Sequence, residues 1–163
     1  MARLQRAFDT YDEAKCRMLA TRFAAYGTWQ VPTLVRLRMQ ELADSPDYLV
    51  DPGLRYMTLG AIKEWREVTG RFHNLPPAMR ATFRDAYQRQ LALVKLLDKA
   101  GVPMMAGTDG GGRVPGQSLH QEFDELAKAG LSPLKILSDD HAKSGRVPRP
   151  NLDHGKHRSG EER

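Results

Sequence analysis

The stretch "GVPMMAGTDGGGRVPGQSLHQEF", residues 101–123, decides how this chain is read. A short apolar run at 102–106 ends in Thr108-Asp109, opens into glycines and restarts at Ser118-Leu119-His120. A brief apolar run bounded by glycine suits a buried strand. A carboxylate just beyond such a strand stands where parallel α/β folds collect their functional groups. Asp109 is therefore the first candidate site residue, able to ligate a divalent ion or to act as a general base. An Asp here also commonly turns the chain or accepts loop amides, so position alone leaves both readings open. The glycines at 110–112 read as loop flexibility rather than as an anion cradle.

Outward from that stretch, "HNLPPAMRATFRDAYQRQLALVKLLDKAG" (73–101) predicts a long helix. Asn74 is its candidate cap, the prolines fit the first turn and Gly101 is the stop. Met79, Phe83, Tyr87, Leu91, Val94 and Leu97 recur at helical spacing as one apolar face. A short helix is expected over 61–68, after a loop-rich stretch at 43–57. Earlier, "TWQVPTLVRL" (28–37) is rich in β-branched and aromatic residues and predicts a second strand, with Pro32 where no ladder bond is needed. A first helix starts at Asp9 or Asp12, carries Phe8, Ala14, Met18, Leu19 and Phe23, and stops at Gly27. The order helix, strand, helices, strand, helix favours a parallel α/β sheet joined by crossovers.

The residues around Asp109 carry a resemblance. "AGVPMMAGTD" followed by "GQSLHQEFDELAKAGLSPLKIL" (116–137) resembles the closing segment of the metal-dependent amidohydrolase superfamily, in the branch of imidazolonepropionase and Xaa-Pro dipeptidases. "GTWQVPTL" (27–34) resembles that branch's seventh barrel strand and "VPMMAGTD" its eighth. The likeness spans roughly residues 10–137. It implies an α/β fold class: a partial (β/α)8 TIM barrel made of the last two βα units, with long helices. It also implies hydrolysis of a C–N bond in an amide, cyclic amide or dipeptide by a metal-bound hydroxide. Asp109 then matches the metal-contacting aspartate that shuttles the proton to the leaving nitrogen. His120 matches the histidine of the Ser-Leu-His loop, orienting the site or simply capping the helix that starts near Ser118. Glu122 and Glu125 fall on that helix as exposed or cap-stabilising residues. The implied cofactor is a divalent metal, most often zinc, and the implied partner a small-molecule amide or dipeptide.

The other ligands of such a centre are missing from the text. The chain has no His-x-His, and the histidine preceding Asp109 is His73, before a helix rather than after a strand. One carboxylate does not supply the three or more ligands of a catalytic zinc. The expectation is a C-terminal amidohydrolase fragment over 1–137, begun at an internal Met1 and inactive alone. Residues 138–163 form a basic tail with three hydrophobic residues, Ala142, Val147 and Leu152, too few to pack; the tail is expected to be disordered and is a candidate frameshift product. His154 and His157 within it are not expected to hold a metal. Exposed barrel edges, above all "GTWQVPTLV" (27–35), are expected to promote self-association.

Composition narrows the alternatives. The net charge of +5 admits an anionic partner, but Lys and Arg are spread among Glu and Asp, which reads as a solvated surface and not as a nucleic-acid interface. The lone Cys16 is expected to be a packed thiol and gives no sign of an oxidising compartment. No window approaches the roughly 20 apolar residues of a membrane span, so a cytoplasmic protein without membrane contact is expected. Two rival functions remain: half of a split amidohydrolase completed in trans, and a non-enzymatic basic helical interaction protein.

Overall fold

A computed structural model describes residues 2–46, 52–110 and 117–142. The described chain is all-helical. Seven α-helices follow one another: α1 (Ala2–Asp9), α2 (Glu13–Ala25), α3 (Leu34–Glu41), α4 (Leu59–His73), α5 (Pro77–Lys99), α6 (Gln117–Lys128) and α7 (Pro133–Ala142). A 3-10 turn, Pro52–Tyr56, precedes α4.

This overturns the expected α/β class and the partial (β/α)8 TIM barrel. The two segments expected to be strands do lie side by side in parallel, but they meet in one isolated bridge, Gln30 with Met104. Gln30 donates its N–H to the Pro103 carbonyl at 3.0 Å and accepts from the Met105 N–H at 2.9 Å. The bridge does not grow into a ladder, for two reasons. Pro32 brings no N–H, and "LVRLRMQE" (34–41) is dominated by good helix formers. Its β-branched lead-in mattered less than its context, as strand propensity generally does. Leu34 and Leu37 pack on the core as helical neighbours, not as alternating strand positions. Leu34 and Val35 of the expected aggregation-prone stretch are accordingly buried, while Val31 stays exposed.

Both extended segments are launched in the same way. Gly27 and Gly101 follow the last turns of α2 and α5 with φ of 60° and 77°. The next amides fold back, Thr28 N–H to Phe23 O at 2.8 Å and Val102 N–H to Leu97 O at 3.1 Å, closing Schellman-type ends. Each bridge residue lies three positions after its glycine. The left-handed φ costs an L side chain about 1–2 kcal/mol, so glycine is required at both.

Helix α3 is the hub, packed against α4, α5 and α6; α2 leans on α5, and α7 on α6. One core cluster joins Leu34, Val94, Met104, Leu126, Leu131 and Ile136; a smaller one pairs Met39 with Trp65. The remaining helices differ from expectation mainly at their ends. The first helix is two, broken before Asp12, whose carboxylate accepts the Lys15 amide at 3.1 Å. Helix α4 is longer than 61–68 because the Thr58 hydroxyl caps it, accepting from Ala61 N–H at 3.2 Å. Asn74 ends α4 instead of starting α5, which begins at the prolines. Helix α7 runs to Ala142, into the expected tail; the rest of the tail, with His154 and His157, lies outside the described residues. Among the described residues no helix is long and apolar enough to cross a membrane.

Candidate functional site

The bridge brings two loops together, the turn at 31–33 and the turn at 106–110. Gly107 sits where a Cβ would collide with the Val31 side chain at Cγ1, so a larger residue there would force Val31 to move. Among the described residues, positive φ at non-glycine positions occurs at Thr33 (51°) and Asp109 (45°), one on each loop. Asp tolerates this conformation through its short polar side chain, whereas a β-branched Thr is strained there. Strained backbone of this kind collects at functional sites.

Asp109 presents a carboxylate that is 70% exposed, and Arg36 of α3 holds it: Arg36 Nε lies 3.6 Å from Asp109 Oδ2. Arg36 Nη1 also donates to the Asp109 carbonyl at 3.5 Å, so one guanidinium ties helix to loop. His120 lies exposed on the first turn of α6, its ring edge-on to Phe123 at 6.0 Å. The contacts of Asp109 and His120 are thus separate, and the structure does not join the two residues expected to act together. Among the described residues no group of three or more His, Cys, Asp or Glu side chains is placed to hold a metal ion. One carboxylate paired with a guanidinium does not by itself supply the ligands of a catalytic zinc. The glycines at 111 and 112 lie outside the described residues.

The structure also places two carboxylates where the sequence reading did not. Glu122 and Glu125 are not surface residues of α6 but fully buried. Glu122 Oε2 accepts the Val35 N–H at 2.7 Å, capping a different helix, α3. Thr33 at the N-cap gives no side-chain bond, so Glu122 supplies the acceptor that α3 lacks. Burial pushes the Glu122 carboxyl up to about 7, and the Glu125 charge adds to this. Its second oxygen, Oε1, has no protein partner.

Glu125 is better served. Arg38 Nε lies at 3.3 Å, Lys128 Nζ at 2.7 Å, and the Tyr87 hydroxyl donates to Oε2. Burial, then the Glu125 bond, raises the Tyr87 hydroxyl well above the usual tyrosine range. Close by in this polar interior, burial pushes Glu41 up to about 8, against the opposing pull of a hydrogen bond with Gln90 and the charge of Arg80. Arg80 is itself buried and donates to the carbonyls of Gln40, Phe72 and Glu41 and to the Asp44 carboxylate. That pairing, reinforced by Arg84, holds the Asp44 carboxyl below its ordinary value.

A sequence signal for Glu122 and Glu125 existed. With Leu126 and Ala129 they recur at i, i+3, i+4 and i+7, the spacing of one buried helical face. Charge argued for the surface and spacing for the core, and spacing prevailed because each carboxylate finds a donor. No family model, curated protein or solved structure matches the chain.

Proposed function

We propose that the chain carries the carboxylate segment of an amidohydrolase-type site acting on C–N bonds, and that it is silent by itself. The observation behind this reading is the Gln30–Met104 parallel bridge, which sets the loops after both segments together with the Asp109 carboxylate exposed on one of them. The resemblance of residues 101–137 to that superfamily supplies the reaction class. In this reading Asp109 takes a proton from the attacking water and passes it to the leaving nitrogen. Arg36 keeps the carboxylate oriented until substrate arrives. The remaining polar groups of the centre come from a second polypeptide, in the cytoplasm.

The test is reconstitution. The chain alone is expected to hydrolyse no dipeptide or cyclic amide with or without added zinc. Mixed with a polypeptide that carries the His-x-His part of an amidohydrolase, it is expected to gain hydrolysis that Asp109→Asn abolishes. A mixture indifferent to that substitution, or full activity of the chain alone, overturns the reading.

A second reading, a non-enzymatic helical interaction protein, is favoured by the all-helical architecture and by exposed Met18 and Leu19 on α2 and Tyr26 at its C-cap. Stable self-association or partner capture lost on Met18→Lys, with reconstitution inactive, supports it instead.

A further inference from the structure

Between α2 and α5 lies an open cleft of about 380 Å³, within the size range of small-ligand sites. Its lining is chemically divided. Ala92, Leu96 and Ala100 give α5 an apolar wall, and Lys95 and Lys99 stand beside it. The two lysines are four residues apart and so project from the same face of the helix. Opposite them, α2 contributes Glu13, Arg17 and Thr21, with Tyr11 just before the helix. Arg17 is engaged: its Nε donates to Glu13 Oε1 at 3.0 Å. Lys95 and Lys99 are not. Lys15, Lys63, Lys128 and Lys135 all lie within ion-pair distance of a carboxylate, whereas among the described residues no carboxylate pairs with Lys95 or Lys99.

The charge balance of the cleft follows. Three cations and one carboxylate leave two unmatched positive charges, both ammonium groups on one helical face. A phosphate monoester carries nearly two negative charges at neutral pH and offers three acceptor oxygens. Lysine binds such a group as a point charge without demanding the planar geometry of arginine. The apolar wall beside the lysines is suited to a small aliphatic or aromatic body, which a bare inorganic ion lacks.

We propose that this cleft binds a phosphate monoester with a small apolar body, the phosphate held by Lys95 and Lys99 and the body lying on Leu96 and Ala92. The Tyr11 hydroxyl closes the rim. The site is independent of the Asp109 loop and of the function assigned to it.

The experiment is a calorimetric titration of the full chain with phenyl phosphate, with inorganic phosphate as the second probe. Expected is saturable one-site binding that weakens as salt rises. Lys95→Gln/Lys99→Gln is expected to weaken it about tenfold, two exposed charge contacts being removed, while Lys63→Gln leaves it unchanged. Both lysines are exposed, so the double variant should melt at the temperature of the parent, which circular dichroism checks. Absence of saturation, or an affinity indifferent to the double substitution, overturns the site. Inorganic phosphate binding as tightly as phenyl phosphate overturns the assignment of an apolar body.

Discussion

The Glu122 carboxylate accepts the Val35 amide at 2.7 Å across 87 positions of sequence, so that a side chain of α6 caps the start of α3. The contact is buried, and it ties the two segments that flank the parallel bridge. Glu122 thereby fastens the hub helix to the part of the chain that carries Asp109. Its cost is a carboxyl group held in the interior with one oxygen unpartnered.

Stability should therefore fall as pH rises from about 5 to 8. Burial lifts Glu122 to about 7 and Glu41 to about 8, so between the ordinary glutamate value and these limits the folded state binds protons that the unfolded state has released. Their contribution is fully present below about 4.5 and is lost as pH passes through the folded values. Urea melts at pH 5, 6, 7 and 8 should show this decline. Glu122→Gln keeps an acceptor for Val35 without the ionisable group, and should flatten the part of the decline below pH 7 by roughly 1–3 kcal/mol. A parallel decline in parent and variant would refute the assignment.

Arg80→Met should destabilise the chain by about 3–5 kcal/mol, the usual consequence of removing one partner from a buried ionic network. Three backbone carbonyls and Asp44 lose the Arg80 guanidinium together, at the place where α3, α4 and α5 meet. Asp44→Asn should cost less, because the carbonyls keep their guanidinium. Equal losses in the two variants, read from urea denaturation, would contradict this ordering.

Glycine substitutions should separate backbone from packing. Gly27→Ala and Gly101→Ala meet open space but a left-handed φ, and each should cost about 1–2 kcal/mol. Gly70→Ala, within α4 and also facing open space, should instead stabilise by roughly 0.5–1 kcal/mol. Thermal melts of the three variants decide the matter through the opposite signs.

Asp109→Asn should change stability by less than about 0.5 kcal/mol, since the Arg36–Asp109 pair is exposed and such pairs contribute little. Any loss of reconstituted hydrolysis in this variant then reports chemistry and not unfolding. A large drop in melting temperature would make Asp109 a structural residue of the loop.

Several local features were legible in the chain because they depend on neighbours in sequence. Asp12 as a cap, Gly27 and Gly101 as helix stops, and the apolar face of α5 with Leu91, Val94 and Leu97 all follow from one turn of backbone. The parallel approach of 28–31 and 102–105 also left a trace in two apolar runs launched by glycine. What failed was the step from apolar run to strand. Residues 34–37 had β-branched company and helical spacing at once, and an isolated run contains nothing that weighs one against the other.

Tertiary structure alone decided the rest. Whether Leu34 and Val35 lie in a strand or in a helix depended on what covers them, which is Leu126, Val94 and the cap from Glu122. Burial of Glu122, Glu125, Glu41 and Arg80 depended on donors and acceptors that lie tens of residues away, invisible to any local pattern. The sequence by itself determined the helix stops at Gly27 and Gly101 and the apolar face of α5, because a left-handed glycine and a helical repeat act within a few residues. Which charges go inside was settled only by folding, because a buried charge is tolerated solely where a distant partner happens to meet it.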